Sequence, residues 1–437
     1  MSTTKPQGTY RYRILAMLFI ATTINYMDRS IMGVLGPTLM DKFQWTNTDF
    51  ANINIAFKMA YAIGMLTMGG IIDRFGTRIG YAISIAIWSC FGMLHAAIQP
   101  AFALVGFIGA RFGLGIGEAG NFPAAVKTVA EWFPKKDRAF ATGIFNAGSN
   151  VGAVLAPIAV PLVAGATGEN WQYAFLITGF FSIAWVIVWL RMYRKPEDHP
   201  KVSAEELAYI NHDCQVKTDD KPVEKLPWSS VLPLRQTWAF AIGKITDAVW
   251  FFFMFWSAIF FKEVFGLKDM HELGGALVVI YVVADIGSIG GGYLSKMFIN
   301  RGFGLNAARK LSLLICALCI LPVAFAPLTS NVWIAVCLIA LASGGHQAWS
   351  ANLFTLVSDV MPKKAIASVV GIGGMVGAVS GMIVDFALGQ GLDGAGKSFF
   401  FVMFAVAASL YLIILLVIHL LLPKLTPLDE NLELVKE

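Results

Sequence analysis

The chain has 437 residues, of which 57% are hydrophobic and 14% are charged, and its mean hydropathy is +0.66. Soluble globular domains carry about 25% charged residues, so this composition excludes a water-soluble globular protein. The sequence instead repeats apolar stretches of about 20 residues, the length that spans a hydrocarbon core of roughly 30 Å. It therefore predicts a multi-pass membrane protein.

Hydropathy and helix-breaking residues divide the chain into twelve predicted membrane-spanning helices. The first six cover residues 14–36, 50–71, 79–98, 102–127, 138–165 and 171–193. The second six cover residues 237–262, 272–298, 309–328, 331–357, 365–390 and 398–422. The predicted fold class is an all-α membrane protein with two six-helix halves, residues 1–193 and 236–437. A charged linker with several prolines, residues 194–235, joins the halves.

The distribution of positive charge predicts the orientation of the chain. Only four of the 33 Lys and Arg residues fall in the predicted outer loops, namely Lys42, Lys262, Lys268 and Lys397. Cytoplasmic loops of membrane proteins carry an excess of Lys and Arg. We therefore expect both termini and the linker to be cytoplasmic.

Ionisable residues inside the predicted spans are the first candidates for function, because a charge in a bilayer is costly unless it is paired or hydrated. Asp28 and Arg29 lie in the first span, and Arg111 and Glu118 lie in the fourth. Two helical turns separate Arg111 from Glu118 and place them on one face, which Asn121 continues. Two arginines and two carboxylates predict an anionic substrate and a titratable proton site. A static charge network that only holds helices together is the alternative.

Five further polar residues lie within the spans. Tyr61 offers a hydroxyl on an aromatic ring, which suits a sugar, and a packed aromatic ring is the alternative. Lys58, one turn earlier, contacts an anion or extends toward the outer surface. Lys244 and Asp247 have the spacing of an ion pair within one helix, and we expect it to be structural. No role is assigned to Asp385.

Two short motifs lead to different expectations. Asp73, Arg74 and Arg78 lie in the predicted inner loop between the second and third spans, where charged pairs can form and break, and we expect a gating element. Gly115, Gly117 and Gly120 match the dinucleotide fingerprint, which requires a preceding strand. Here the motif lies inside an apolar span, so we predict no nucleotide site, no cofactor and no metal.

The stretch Gly70-Ile-Ile-Asp-Arg-Phe-Gly-Thr-Arg78 resembles the signature inner-loop motif of the major facilitator superfamily, and the resemblance extends over essentially the whole chain. Within the superfamily, Asn25-Tyr-Met-Asp-Arg29 and Arg111-Phe-Gly-Leu-Gly-Ile-Gly-Glu118 resemble the anion:cation symporter family, which moves organic acids. The stretches 238–244 and 345–355 are most similar to those of bacterial hexuronate transporters.

This resemblance implies a role for each candidate residue. Arg29 and Arg111 would lie near a substrate carboxylate, Tyr61 would contact the sugar, and Asp28 and Glu118 would take protons. Ser149 occupies the place where galactonate-type relatives have a glutamine, with Asn150 beside it. The predicted substrate-binding residues are Arg29, Arg111, Tyr61, Lys58, Asn121, Ser149, Asn150, His346, Gln347 and Asn352.

The resemblance therefore implies a proton-coupled carrier that imports a hexuronate, such as glucuronate or galacturonate, by alternating access. We expect it to act as a monomer in the bilayer of a bacterial inner membrane, with no nucleic-acid partner. Three alternatives remain open: another organic anion such as galactonate or glucarate, coupling to sodium, and exchange. The twelve spans and the absence of a plausible catalytic set argue against a membrane enzyme or receptor.

Overall fold

The computed structural model describes residues 8–211, 228–429 and 432–434. Long helices dominate it, because a backbone in hydrocarbon must satisfy its polar groups internally. In the part of the chain before the linker, the helices are α1 (Tyr10–Phe43), α2 (Asn47–Leu94), α3 (Ala103–Glu118), α4 (Asn121–Trp132), α5 (Lys135–Ala164) and α6 (Trp171–Met192).

The described part of the linker contains the short helices α7 (Ala204–Ile210) and α8 (Trp228–Val231), while residues 212–227 lie outside the described chain. The long helices that follow are α9 (Arg235–Gly243), α10 (Asp247–Phe265), α11 (Met270–Asn300), α12 (Leu305–Ile320), α13 (Val332–Val360), α14 (Lys363–Ala395) and α15 (Phe399–Leu421).

The helices confirm the predicted fold class. Within the described residues, ten segments are long and apolar enough to cross a membrane, and the last of them, Ser368–Leu421, contains both α14 and α15. Helix α1 is not among the ten, because Asn25, Asp28 and Arg29 interrupt its apolar run. With α1, the long helices match the predicted spans in order.

The predicted loop between the second and third spans is shorter than expected. Helix α2 continues through residues 47–94 and is interrupted only at Gly76, which has φ 75° and ψ 161°. A residue with a side chain rarely adopts that backbone conformation, so glycine permits the kink. Arg74 and Arg78 are exposed on either side of it, and the side chain of Asp73 lies outside the described structure.

Two other predicted spans contain helix breaks. The fourth is divided into α3, which ends at Glu118, and α4, which begins at Asn121. The seventh is divided between α9 and α10 by a single 3-10 turn, Lys244–Thr246. Broken membrane helices expose backbone polar groups where a transporter binds ions or substrate. Both breaks lie at charged residues that the sequence singled out.

The chain folds into two compact units. One contains Met1–Leu35 and Ile53–Asp220, and the other contains Gly36–Asn52 and Lys221–Glu437. The turn between α1 and α2 therefore groups with the second unit, whereas the predicted boundaries place it in the first half. Asp393 of α14 holds it there by accepting hydrogen bonds from the backbone amides of Asn47 and Thr48, both at 2.9 Å. Lys262 of α10 forms an ion pair with Asp41.

In the first unit, the beginning of the linker packs against the start of α1. Glu206 of α7 is buried and accepts hydrogen bonds from the backbone amides of Tyr10 at 3.2 Å and Arg11 at 3.1 Å. The guanidinium of Arg11 also pairs with Glu206 at 3.2 Å. The ring of His199 packs against Tyr10 with the ring centroids 4.1 Å apart and the planes tilted by 41°. These contacts tie residues 196–211 to the helices of the first unit.

Candidate functional site

Helices α1, α2 and α3 of the first unit bring the predicted charged residues together. Arg29 donates a hydrogen bond from Nε to Oε2 of Glu118 at 3.0 Å, and its Nη2 lies 2.9 Å from the same oxygen. Both side chains are buried, with 9% and 0% of their surface exposed. Burying two charges is tolerable when they form such a pair. The ion pair therefore joins α1 to the end of α3.

Arg111, two turns before Glu118 on α3, is in a different situation. Its side chain is completely buried, yet none of its guanidinium nitrogens has a hydrogen-bond partner among the described residues. Its Cζ lies 4.5 Å from the ring centroid of Phe57. A guanidinium offers five N–H donors in a planar fork that fits a carboxylate. Arg111 is therefore a free donor set inside the first unit.

Three aromatic rings surround the Arg29 guanidinium. Its Cζ lies 4.8 Å from the ring centroid of Tyr26, 5.4 Å from that of Phe57 and 4.7 Å from that of Tyr61. Cation–π contacts at these distances are attractive, and more so away from water. The rings fix the position of Arg29 and leave the Tyr61 hydroxyl beside it.

Several buried polar atoms near these charges lack hydrogen-bond partners among the described residues. They are Oδ2 of Asp28, Oε1 of Glu118 and both amide atoms of Asn25. Asp28 also experiences the charges of Glu118 and Arg111, and it faces Thr178 of α6. Buried polar groups in native proteins normally have partners, so unpaired ones indicate a ligand, an ion or water. This cluster can bind a small anion and exchange a proton.

The glycine motif of α3 explains how these helices approach each other. A Cβ atom added to Gly115 would lie 2.6 Å from the carbonyl oxygen of Phe57, and one added to Gly117 would lie 2.5 Å from the backbone nitrogen of Trp88. Small residues allow membrane helices to pack closely. The motif that resembles a dinucleotide fingerprint therefore packs α3 against α2 and holds Arg111 beside Phe57.

Asn121 is buried, but its amide is already engaged. Its Oδ1 accepts a hydrogen bond from the Tyr81 hydroxyl at 2.6 Å, and its Nδ2 donates to Oγ1 of Thr22 at 3.3 Å. These bonds connect the start of α4 to α1 and α2. Asn121 begins α4 just after the break that follows Glu118, and its amide is used to join helices.

The other predicted residues of the first unit lie on α2 and α5. Lys58 is buried, with 3% of its surface exposed, so it does not extend into solvent. Ser149 is buried and donates a hydrogen bond to the carbonyl oxygen of Asn146 at 2.6 Å, while Asn150 is half-buried beside it. Asn54 was not among the predicted residues. It lies one turn before Lys58 and is completely buried, and neither of its amide atoms has a hydrogen-bond partner among the described residues.

In the second unit, His346 and Gln347 occupy neighbouring positions on α13. The His346 ring stacks on Trp250 with centroids 5.6 Å apart, and its Nδ1 lies 2.7 Å from the Tyr411 hydroxyl. Tyr411 was not among the predicted residues, although a tyrosine within the apolar run of α15 is a signal. Gln347 is half-buried and makes no hydrogen bond among the described residues.

Asn352, also on α13, holds two helices together. Its Nδ2 donates to the carbonyl oxygens of Gly291 at 2.8 Å and Ala348 at 2.9 Å, and its Oδ1 accepts from the Ser295 hydroxyl. Gly291 and Ser295 belong to α11, so the amide of Asn352 is used in helix packing. The substrate contact by Asn352 stays a prediction, and a substrate would have to compete with these bonds.

Two acidic residues of the second unit have described partners. Lys244 and Asp247 form the expected ion pair at 2.5 Å, at the break between α9 and α10. Asp385 is completely buried in α14, and its Oδ1 accepts a hydrogen bond from the indole nitrogen of Trp256 at 3.0 Å. The sequence could not predict this pair, since its members lie on different helices. Among the described residues, no group of His, Cys, Asp and Glu side chains could hold a metal ion.

Comparisons with known proteins agree with this architecture. A family model described as Major Facilitator Superfamily matches residues 18–384. The hexuronate transporter of Escherichia coli K12 is 32% identical over 400 residues, which are 91% of each chain. The galacturonate transporter of Dickeya chrysanthemi is 31% identical over 337 residues, 76% of this chain and 95% of the relative.

Solved structures show the same fold at low identity. The crystal structure of a bacterial homolog of the human lysosomal transporter Spinster has a TM-score of 0.75 and 19% sequence identity. The similarity covers 96% of this chain and 97% of that one. Together with the helix order, this similarity confirms the predicted architecture.

Proposed function

Because this chain belongs to the Major Facilitator Superfamily and is a multi-pass membrane transport protein, we propose that it imports a hexuronate together with protons by alternating access. Glucuronate and galacturonate are the proposed substrates. The proposed location is a bacterial inner membrane, with both termini in the cytoplasm and the monomer as the functional unit.

One observation carries the proposal of an anionic substrate. Arg111 is completely buried and has no hydrogen-bond partner among the described residues, while Glu118 on the same helix is paired with Arg29 of α1. A buried guanidinium without hydrogen bonds is costly, and a carboxylate satisfies it through two parallel bonds. We therefore propose Arg111 as the main ligand of the substrate carboxylate.

The relatives support the chemical class of the substrate. Both relatives described above carry names that state hexuronate or galacturonate transport, and one of them aligns over 91% of this chain. A hexuronate has one carboxylate and several hydroxyl groups. The cluster has matching partners for both kinds of group: Arg29 and Arg111 suit the carboxylate, and Tyr61 suits a hydroxyl.

The other predicted substrate contacts differ in how far their polar atoms are already engaged within the protein. Lys58, Ser149, Asn150, His346 and Gln347 stay candidates for substrate contact. For Asn121 and Asn352, a substrate contact would have to compete with the hydrogen bonds that their amides make within the protein.

For proton coupling we propose Glu118 and Asp28. Glu118 neutralises Arg29 when it is ionised, and protonation would release that guanidinium for the substrate. Asp28 is buried beside the same charges and provides a second carboxylate. A carrier needs such a group, whose proton affinity changes with the charges around it.

Transport into vesicles tests the proposal. The purified chain is reconstituted, an inward proton gradient is imposed, and uptake of labelled glucuronate, galacturonate, galactonate and glucarate is measured. We expect accumulation of the two hexuronates, and competition by either of them but not by glucose or galactose. Inhibition by the neutral sugars would contradict the anion site. Accumulation under a sodium gradient alone, or uptake only against internal substrate, would identify the sodium-coupled or exchange alternative.

A further inference from the structure

A polar cavity lies in the first unit, far from the charged cluster that contains Arg29, Arg111 and Glu118. It has a volume of about 570 Å³ and lies where the α2 kink, the end of α4 and the end of α6 meet the start of the linker. Thr77 in its wall lies 16 residues beyond Tyr61 on α2, or roughly 24 Å at 1.5 Å per residue. The cavity is therefore separate from the proposed transport site, and we call it the linker cavity.

Positive charge dominates the wall of the linker cavity. Four cationic side chains line it, against two carboxylates, Glu131 and Asp198. The cationic residues are Arg78, Lys127, Arg194 and Lys195. The wall thus contains two more positive than negative side chains.

Both carboxylate oxygens of Glu131 accept hydrogen bonds from hydroxyl groups of the protein. Its Oε1 accepts a hydrogen bond from the Thr77 hydroxyl at 2.8 Å, and its Oε2 accepts one from the Tyr193 hydroxyl. Burial, reinforced by the charge of Glu131, raises the pKa of Tyr193, so its hydroxyl remains a donor. With both oxygens engaged, Glu131 repels an incoming anion less than a free carboxylate would.

Two of the cations are held in place, and two are available. Arg78 donates from Nη2 to the carbonyl oxygen of Leu190, and Lys127 donates from Nζ to the carbonyl oxygen of Ile72 at 3.3 Å. Arg194 and Lys195 are exposed, and their side chains make no hydrogen bond or ion pair within the described chain. Guanidinium and ammonium groups bind phosphate through charge-assisted hydrogen bonds, so these four side chains suit a phosphate group.

We propose that the linker cavity binds a phosphate group, either of an anionic phospholipid headgroup or of a soluble phosphate ester. A volume of 570 Å³ lies within the usual range of small-molecule sites and accommodates a glycerophosphate group. The cavity opens at the end of the helices where the linker begins, which we propose faces the cytoplasm. Anionic lipid headgroups attract basic residues at that surface. Bound there, the phosphate would connect the α2 kink to the linker.

Binding to matched charge variants tests this proposal. The full chain is purified in detergent, and its affinity for phosphatidylglycerol and phosphatidylcholine is measured by native mass spectrometry. Titration with glycerol 3-phosphate and inorganic phosphate forms the second arm. The test variant is Arg194→Gln/Lys195→Gln. The control is Arg191→Gln/Lys201→Gln, which removes the same charge from exposed residues outside the cavity wall.

We expect phosphatidylglycerol to bind more tightly than phosphatidylcholine. The test variant should weaken this binding roughly 10- to 30-fold, on the basis of about fivefold for each cation, and the control should not. If glycerol 3-phosphate or inorganic phosphate binds with the same dependence on Arg194 and Lys195, the ligand is a soluble phosphate. If neither compound shows this dependence and phosphatidylglycerol does, the ligand is the lipid headgroup. Equal affinities of the test and control variants in both arms would overturn the proposal. Hexuronate binding by each variant checks its fold.

Discussion

The carboxylate of Glu118 holds the guanidinium of Arg29 at 2.9 Å, although the two residues lie on different helices 89 positions apart. Arg111 shares its helix with Glu118 and yet makes no hydrogen bond to it or to any other described residue. One arginine is therefore neutralised by the protein, and the other is left for a ligand. This asymmetry assigns different roles to two residues that look equivalent in the sequence.

The first prediction concerns Arg111→Lys. Lysine keeps the positive charge but cannot form two parallel bonds to a carboxylate, so we expect hexuronate to bind roughly 10- to 100-fold more weakly. Binding to the purified chain is measured by calorimetry. Arg191→Lys, at an exposed position of the same unit, is the control and should bind normally. Unchanged affinity of Arg111→Lys would favour the static charge network.

The sequence predicted the order of the helices and the composition of the site, because the lengths of apolar runs and the cost of buried charge are local properties. It also placed Arg111 and Glu118 on one helix. The pairing of Glu118 with Arg29 could not be predicted, since it depends on how α1 packs against α3. The break after Glu118 was missed for a related reason: Ala119 and Gly120 are small apolar residues that give no strong stop signal.

The second prediction concerns Asn352→Ala. This change removes three hydrogen bonds between and within α11 and α13. Hydrogen bonds between membrane helices contribute modestly, so we expect a loss of about 1–2 kcal/mol in the free energy of unfolding. Thermal unfolding in detergent measures it, together with hexuronate binding.

Gln347→Ala is the matched change on the same helix. Its side chain makes no hydrogen bond among the described residues, so stability should stay within about 0.5 kcal/mol, while hexuronate affinity falls if Gln347 contacts substrate. An Asn352→Ala protein that is fully stable but cannot bind would identify Asn352 as a substrate contact.

The third prediction is a pH dependence at His199. Its Nδ1 accepts a hydrogen bond from the Lys201 amide at 3.1 Å, which requires the neutral ring, and its Nε2 donates to the Met192 carbonyl at 3.1 Å. Burial lowers the pKa of His199 below its usual value of 6.5, and the charges of Arg194 and Lys201 lower it further. The stabilising contribution is thus complete above pH 6.5 and declines as the pH falls below it.

Hydrogen exchange of residues 196–211 measures this effect. Between pH 7.5 and 5.5, corrected for intrinsic rates, we expect increased exchange, by at most roughly tenfold for each pH unit below 6.5. His199→Gln should abolish the pH dependence. His271→Gln, an exposed histidine in the second unit, should leave it intact. The same pH dependence in His199→Gln would mean that another group controls the segment.

The last prediction separates proton coupling from substrate binding. Glu118→Gln keeps nearly the same size and leaves an acceptor for Nε of Arg29, but it removes the titration. If Glu118 carries the coupling proton, the variant resembles the protonated carrier at every pH. We expect it to bind hexuronate and exchange it across vesicle membranes, but not to accumulate it under an inward proton gradient.

Asp28→Asn must be measured in parallel, because Asp28 is buried beside the same charges and has its own unpaired oxygen. Each variant is assayed for binding, for exchange of labelled against unlabelled hexuronate, and for accumulation driven by the proton gradient. If Glu118→Gln accumulates substrate fully while Asp28→Asn does not, Asp28 is the main proton site. If both accumulate it fully, neither residue couples protons to transport, and the Arg29–Glu118 pair serves binding and helix packing alone.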